Sequence, residues 1–228
     1  MWRHSRRRES KRPIDSLIRT LGAGVLFAVV ATWIPHPATA DETGSLRGRL
    51  GVSDGLSLAD AGAIVVFLEA EAPAAGAAAT NRALPKAVVR QSGAEFAPDF
   101  LAVAKGQLVE MPNDDIIYHN VFSYSEPNDF DLGMYPSGES RSVRFEYSGL
   151  VRIYCSIHER MDGLIFVAPS PLFAVPDSTG SYSIPAVPPG RYRLHVWSER
   201  LPEIVTSVET GGAEGLTVDV VLGSSSEG

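Results

Sequence analysis

One stretch of the chain concentrates side chains able to bind a metal. Cys155-Ser156-Ile157-His158-Glu159-Arg160-Met161 places a thiol, an imidazole and a thioether within seven residues. A second imidazole, His119, lies 36 residues upstream, after Asp114-Asp115-Ile116-Ile117-Tyr118. Two imidazoles, one thiolate and a weak axial thioether make the trigonal donor set that holds copper for electron transfer. The thiolate bonds strongly, the imidazoles suit both oxidation states, and the distant thioether tunes the potential. Zinc could also take Cys155, His119 and His158, but a Met in the fourth position argues against it. Met161 has a second reading as gap-filling core.

Cys155 is the only cysteine. Exported proteins use cysteines mostly in pairs. A single one is an inert buried thiol, an intermolecular link, or a thiolate with a task, and its neighbours favour the last. Other candidates carry less. His195 stands alone on a strand and is expected to face solvent beside Trp197. Asp114-Asp115 reads as a solvated turn rather than an acid/base pair. No Ser-His-Asp or paired-carboxylate arrangement has credible spacing, so no turnover of a substrate is expected.

The elements around these residues read as short strands. Val151-Arg152-Ile153-Tyr154-Cys155 alternates, with Val151, Ile153 and Cys155 on one face, so Cys155 points where the core residues point. Gly163–Val167 follows as a buried strand, which makes the Cys155–Met161 segment a loop with two anchored ends. Upstream, Ser142–Tyr147 alternates with Val143, Phe145 and Tyr147 on one face. Many short strands at this spacing indicate an all-β sandwich.

The block resembles a cupredoxin. The resemblance rests on Phe96-Ala97-Pro98, Val109-Glu110-Met111-Pro112-Asn113-Asp114, His119-Asn120-Val121-Phe122-Ser123, Phe130-Asp131-Leu132-Gly133-Met134-Tyr135 and the Cys155–Met161 loop. The C-x-x-H-x-x-M spacing is similar to the short ligand loop of amicyanin, except that Ile157 stands where amicyanin has a Pro. The wider stretch looks like plastocyanin-like proteins often labelled methylamine utilization proteins. The resemblance implies a Greek-key sandwich over residues 86–168 holding one type 1 copper through His119, Cys155, His158 and Met161. It also implies that Asn120 ties the two ligand loops together. In such a fold the later His reaches the surface, so His158 is expected to be partly exposed and His119 buried.

Residues 1–40 read as an export signal. Seven basic residues are followed by an apolar run from Leu21 to Ile34 and then Ala38-Thr39-Ala40, an A-x-A cleavage pattern. At 14 residues the run is short for a membrane span, which needs about 20. An uncleaved anchor is the alternative and would be the one route to a membrane. Residues 1–40 hold 7 of the 20 basic and 2 of the 27 acidic side chains, so the remainder has 13 basic and 25 acidic ones, net -12. Such a surface repels nucleic acid and suits a basic protein partner.

Residues 71–85, rich in Ala, Pro and Gly, read as a linker. Residues 41–70 and 169–222 together look like a carboxypeptidase-regulatory-like (transthyretin-like) β-sandwich, split around the cupredoxin. Neither part has enough strands to bury a core alone. The other arrangement is an N-terminal extension on the cupredoxin edge plus a small C-terminal β-domain. The function expected is one-electron transfer in the periplasm or outside the cell, with a cytochrome or dehydrogenase as redox partner. Copper delivery or storage, and a binding module with an incidental copper site, are the alternatives.

Overall fold

The computed structural model describes residues 43–53, 55–71, 84–211 and 214–223. The expected export signal lies outside the described residues, as does most of the expected linker. Among the described residues no helix is long and apolar enough to cross a membrane.

The described chain is almost entirely β. It opens with β1 (Gly44–Val52), a 3₁₀ turn at Leu58–Ala61, and β2 (Ile64–Ala70). Then come β3 (Ala87–Val88), β4 (Arg90–Ser92), β5 (Glu95–Ala97), β6 (Phe100–Ala104), β7 (Leu108–Pro112) and β8 (His119–Ser123). β9 (Phe130–Tyr135), β10 (Ser140–Arg144), β11 (Gly149–Tyr154) and β12 (Asp162–Ala168) follow. The last strands are β13 (Phe173–Ala174), β14 (Ser181–Val187), β15 (Gly190–Ser198), β16 (Ile204–Thr210), β17 (Leu216–Thr217) and β18 (Val220–Leu222).

Strands β3–β12 build one sandwich. Its larger sheet has the order β6-β12-β11-β8-β9, with β12 parallel to β6 and antiparallel to β11. The smaller sheet is β10-β7-β3, with the hairpin β4–β5 beside it. Between the sheets, Val103, Val109, Met111, Val121, Tyr135, Phe145, Val151, Ile153, Ile165 and Val167 form a continuous core. Alternation explains the inward set on β11, where Val151 and Ile153 are buried and Leu150 and Arg152 exposed.

The strands before β3 and after β12 pair with each other. β1 lies antiparallel to β14 and parallel to β17 and β18. β2 lies between β13 and β15, with β16 at the edge. Leu46, Leu50, Val66, Leu68, Ile184, Tyr192, Leu194, Val196 and Leu222 fill the space between these two sheets. Fully burying such a side chain contributes about 1.5–3 kcal/mol.

β12 is buried on both faces from Gly163 to Ala168. Ile165 and Val167 point into the first core. Phe166 and Ala168 point the other way, against Val65 and Phe67 of β2, with Trp197 beside them. The Phe166 and Trp197 rings are 4.5 Å apart, and Arg152 of β11 is paired with Glu199 at 3.1 Å. β12 is therefore an apolar run instead of an alternating strand, because both of its faces meet protein.

Two expectations from the local pattern are corrected. Tyr147 is 53% exposed, because β10 ends at Arg144 and the alternation does not reach it. His195 is buried instead of facing solvent. Its ring stacks on Phe67 at 4.7 Å, and Nδ1 lies 2.9 Å from Glu203 Oε1. Nε2 is 3.2 Å from Glu69 Oε2, but that approach is off-line for a hydrogen bond. It is covered by its own sandwich, by Phe67 and Glu69 of β2 and by Glu203.

Candidate metal centre

β11 and β12 pair over their full facing length, from Gly149↔Val167 to Tyr154↔Asp162. The loop that joins them therefore starts at a fixed point. It is closed by two backbone bonds: Cys155 N–H donates to the Met161 carbonyl at 3.1 Å, and Met161 N–H to the His158 carbonyl at 3.0 Å. Cys155, next on the inward face after Ile153, is 6% exposed. β8 brings in His119 at its first residue, where it pairs with Tyr135 of β9. β8 also touches β11 through Phe122↔Tyr154, next to Cys155. Two donors 36 residues apart thus meet because their strands are neighbours in one sheet.

The structure brings His119, Cys155 and His158 together, with donor atoms all within 4.8 Å of one another. Cys155 Sγ lies 3.6 Å from His119 Nδ1 and 3.8 Å from His158 Nδ1. A metal with bonds of about 2.0–2.3 Å in a trigonal arrangement separates its donors by roughly 3.5–3.7 Å. The two distances from Sγ lie close to that spacing. Met161, in the same loop, is buried in the same apolar cluster as Cys155. Soft sulfur with imidazole suits copper better than a hard cation. His119 is fully buried, whereas His158 is half-buried, as the sequence led us to expect.

Side chains beside the donors fix the loops. Asn120 Oδ1 accepts from the N–H of Ser156 at 2.8 Å and from its Oγ at 2.9 Å, which ties the His119 strand to the Cys155 loop. Asn113 is buried and donates through Nδ2 to the carbonyls of Ile117 and Tyr135. Tyr135 donates to the Met111 carbonyl at 2.8 Å and accepts from Gln91 Nε2 at 2.5 Å. Burial, before all else, pushes the Tyr135 phenol up to about 12.

Asp115 is the residue that sequence reasoning missed. It is not a solvated turn residue: its Oδ2 lies 2.8 Å from His119 Nε2. It also accepts from the N–H groups of Gly93 and Ala94, at 2.6 and 2.9 Å. The Ala94 N–H first, then the Gly93 N–H and the His119 ring, hold its carboxyl below the usual carboxylate range against the opposing effect of burial. The available signal was chemical. A buried His with one ring nitrogen turned to a metal needs a partner for the other, and a carboxylate stands four residues before it.

The surroundings are apolar and exposed. Ile157, next to His158, is 52% exposed, and Ile116, Ile117 and Tyr118 before His119 also reach solvent. On the outer face of β8 and β11, Phe122, Tyr124, Tyr154 and Arg152 line an open depression that borders Cys155 and Ser156.

No protein-family model and no curated protein matches the chain. Solved structures do. A purple cupredoxin from Nitrosopumilus maritimus is 26% identical over 36% of this chain and 100% of its own, with a TM-score of 0.33. A copper-containing nitrite reductase from Thermus scotoductus SA-01 is 26% identical over 38% of this chain but only 23% of its own, with a TM-score of 0.35. A Cu(I) amicyanin variant is 22% identical over 39% of this chain and 88% of its own, also at 0.35. At these TM-scores, strand order and donor placement carry the assignment. A two-sheet sandwich brings a strand-initial His against a Cys-x-x-His-x-x-Met loop between its last two strands. The donor-bearing sandwich is cupredoxin-like. Within it, His119, Cys155 and His158 are the residues whose donor atoms converge closely enough to hold a metal ion.

Proposed function

We propose that this chain is an exported one-electron carrier with a single type 1 copper, held by His119, Cys155 and His158 with Met161 as the axial donor. The observation that carries this is the convergence of Cys155 Sγ on two imidazole Nδ1 atoms, at 3.6 and 3.8 Å. Copper bound there supplies a one-electron couple. The protein's part is to hold the donors still and keep water away. Cys155, His119 and Met161 are buried, each near the end of a strand or between strands. The half-buried His158 edge, beside exposed Ile157, is the point where a redox protein would dock. That partner is a cytochrome or a dehydrogenase with a basic surface, since the chain after residue 40 carries a net charge of -12. The role is carriage, not catalysis.

Residues 41–70 and 169–222 form, in this reading, one carboxypeptidase-regulatory-like sandwich into which residues 86–168 are inserted. Supporting this are the pairing of β1 with β14, β17 and β18 and of β2 with β13 and β15, and their shared core. Export to the periplasm or beyond rests on the basic start, apolar run and Ala38-Thr39-Ala40. Mass spectrometry of the native protein should find a chain starting at or near Asp41; an intact Met1 start in a membrane fraction would refute it.

The decisive test is a visible spectrum of the protein loaded with Cu(II). One copper per chain and intense thiolate-to-metal absorption are expected, with the colour lost in Cys155→Ser. A colourless complex, or a spectrum indifferent to Cys155→Ser, sinks the reading.

A further inference from the structure

The hairpin β4–β5 contributes no metal donor, yet it is joined to His119 through a single carboxylate. The two strands pair up to Ser92↔Glu95, leaving Gly93 and Ala94 as a two-residue turn. Both sit in left-handed backbone, at φ 67° and 58°, the signature of a type I′ hairpin turn. For Ala94 that conformation is unfavourable, because its Cβ crowds the neighbouring carbonyl oxygen. It turns both N–H groups onto Asp115, Gly93 to Oδ1 and Ala94 to Oδ2. The same Oδ2 meets His119 Nε2 at 2.8 Å.

Asp115 is fixed from behind as well. Its own N–H donates to Asn113 Oδ1 at 3.0 Å, and Asn113 is buried. The neighbouring Asp114 N–H donates to the Gln91 carbonyl at 2.9 Å, and Asp114 pairs with Arg90 at 2.8 Å. The segment 113–115 is therefore laced to the hairpin along its length, and Asp115 has little freedom to move.

A carboxylate that already accepts two N–H groups can meet a third nitrogen only as acceptor. Nε2 of His119 must then carry a proton, and in the neutral ring Nδ1 keeps its lone pair toward Cys155 Sγ. The Asp115 bond also stops the ring from rotating. We propose that Asp115 is a positioning residue that, clasped by the Gly93 and Ala94 amides, presets the tautomer and ring orientation of His119. The hairpin 90–97 thereby belongs to the metal centre without touching the metal. The metal role of His119 rests on the function proposed above; the preset itself is a property of the metal-free chain.

The test is nitrogen-15 NMR of the His119 ring in metal-free full-length protein. The expected result is a proton on Nε2 and none on Nδ1. A proton on Nδ1 overturns the proposal, and this measurement needs no variant to fold. Asp115→Ala should give a mixture of tautomers and bind Cu(II) about 10–100-fold more weakly, at unchanged stoichiometry. Glu209→Ala, which removes an exposed carboxylate from the other sandwich, should leave both readouts where they were. If Asp115→Ala leaves the tautomer and the affinity unchanged, the inference is wrong. If wild type shows the Nε2–H tautomer but takes up no Cu(II), the preset stands and the copper function falls.

Discussion

Asn120 Oδ1 receives two hydrogen bonds from Ser156, one from its N–H and one from its Oγ, across 36 residues of sequence. Each partner directly follows a metal-donor candidate, His119 and Cys155. The pair therefore sets how far apart the two donors sit before any metal arrives. Asn120→Ala removes both bonds, at about 0.5–1.5 kcal/mol each. Thermal unfolding of the metal-free protein should show a loss of that order. Asn120→Asp keeps an acceptor and should recover most of it. Equal stability in all three proteins would mean that another contact holds the loops together.

Electron entry at the His158 edge makes a kinetic prediction. Ile157 is 52% exposed beside it, and the chain after residue 40 is strongly acidic. Stopped-flow reduction by a small basic cytochrome should slow as salt is added, because screening weakens the steering. Ile157→Lys should slow it further by placing a cation and a polar head in the docking contact. Rates indifferent to both salt and Ile157→Lys would place the entry point on another face.

Gly48, in the middle of β1, is required by close approach. A Cβ there would sit 1.7 Å from the Val218 carbonyl oxygen and 2.6 Å from its carbon, both main-chain atoms. Neither can rotate away, so the strands must separate. Gly48→Ala should cost about 3 kcal/mol in urea unfolding. Gly51→Ala, whose Cβ meets only Val221 Cγ2 at 3.7 Å, should be neutral or mildly stabilising. Similar stabilities for the two variants would contradict the packing of β1 against the segment after β17.

Tyr182 predicts an alkaline limit. Its hydroxyl donates to the Val218 carbonyl at 2.6 Å, and burial first, then Asp219, pushes its phenol up to about 12. The folded chain therefore holds this proton more tightly than the unfolded chain, whose phenol titrates near 10. The stability it contributes is complete below about pH 10 and is lost as pH rises toward 12. Stability measured across that window should fall less steeply in Tyr182→Phe. An unchanged slope would show that Tyr182 ionises freely in the folded protein.

Sequence periodicity alone determined which way most strand residues face. Val151, Ile153 and Cys155 alternate with Leu150 and Arg152, and the structure buries the first set. The side-chain period of a strand is local, so it survives in the string of letters. The donor types were legible for the same reason: Cys155, His158 and Met161 sit within one loop. What lies across the sheet was not legible. The 3.6 Å approach of His119 to Cys155 comes from β8 lying beside β11, a pairing that no local pattern encodes. The Asp115 bond to His119 was hidden because its other two partners, Gly93 and Ala94, come from a hairpin more than twenty residues away in sequence. His195 looked exposed because alternation assigns a face to a side chain but does not say what covers that face. Only the tertiary structure decided that: the Phe67 ring and the Glu69 and Glu203 carboxylates close over His195, because a side chain is hidden by whichever strands lie beside it and not by those adjacent in sequence.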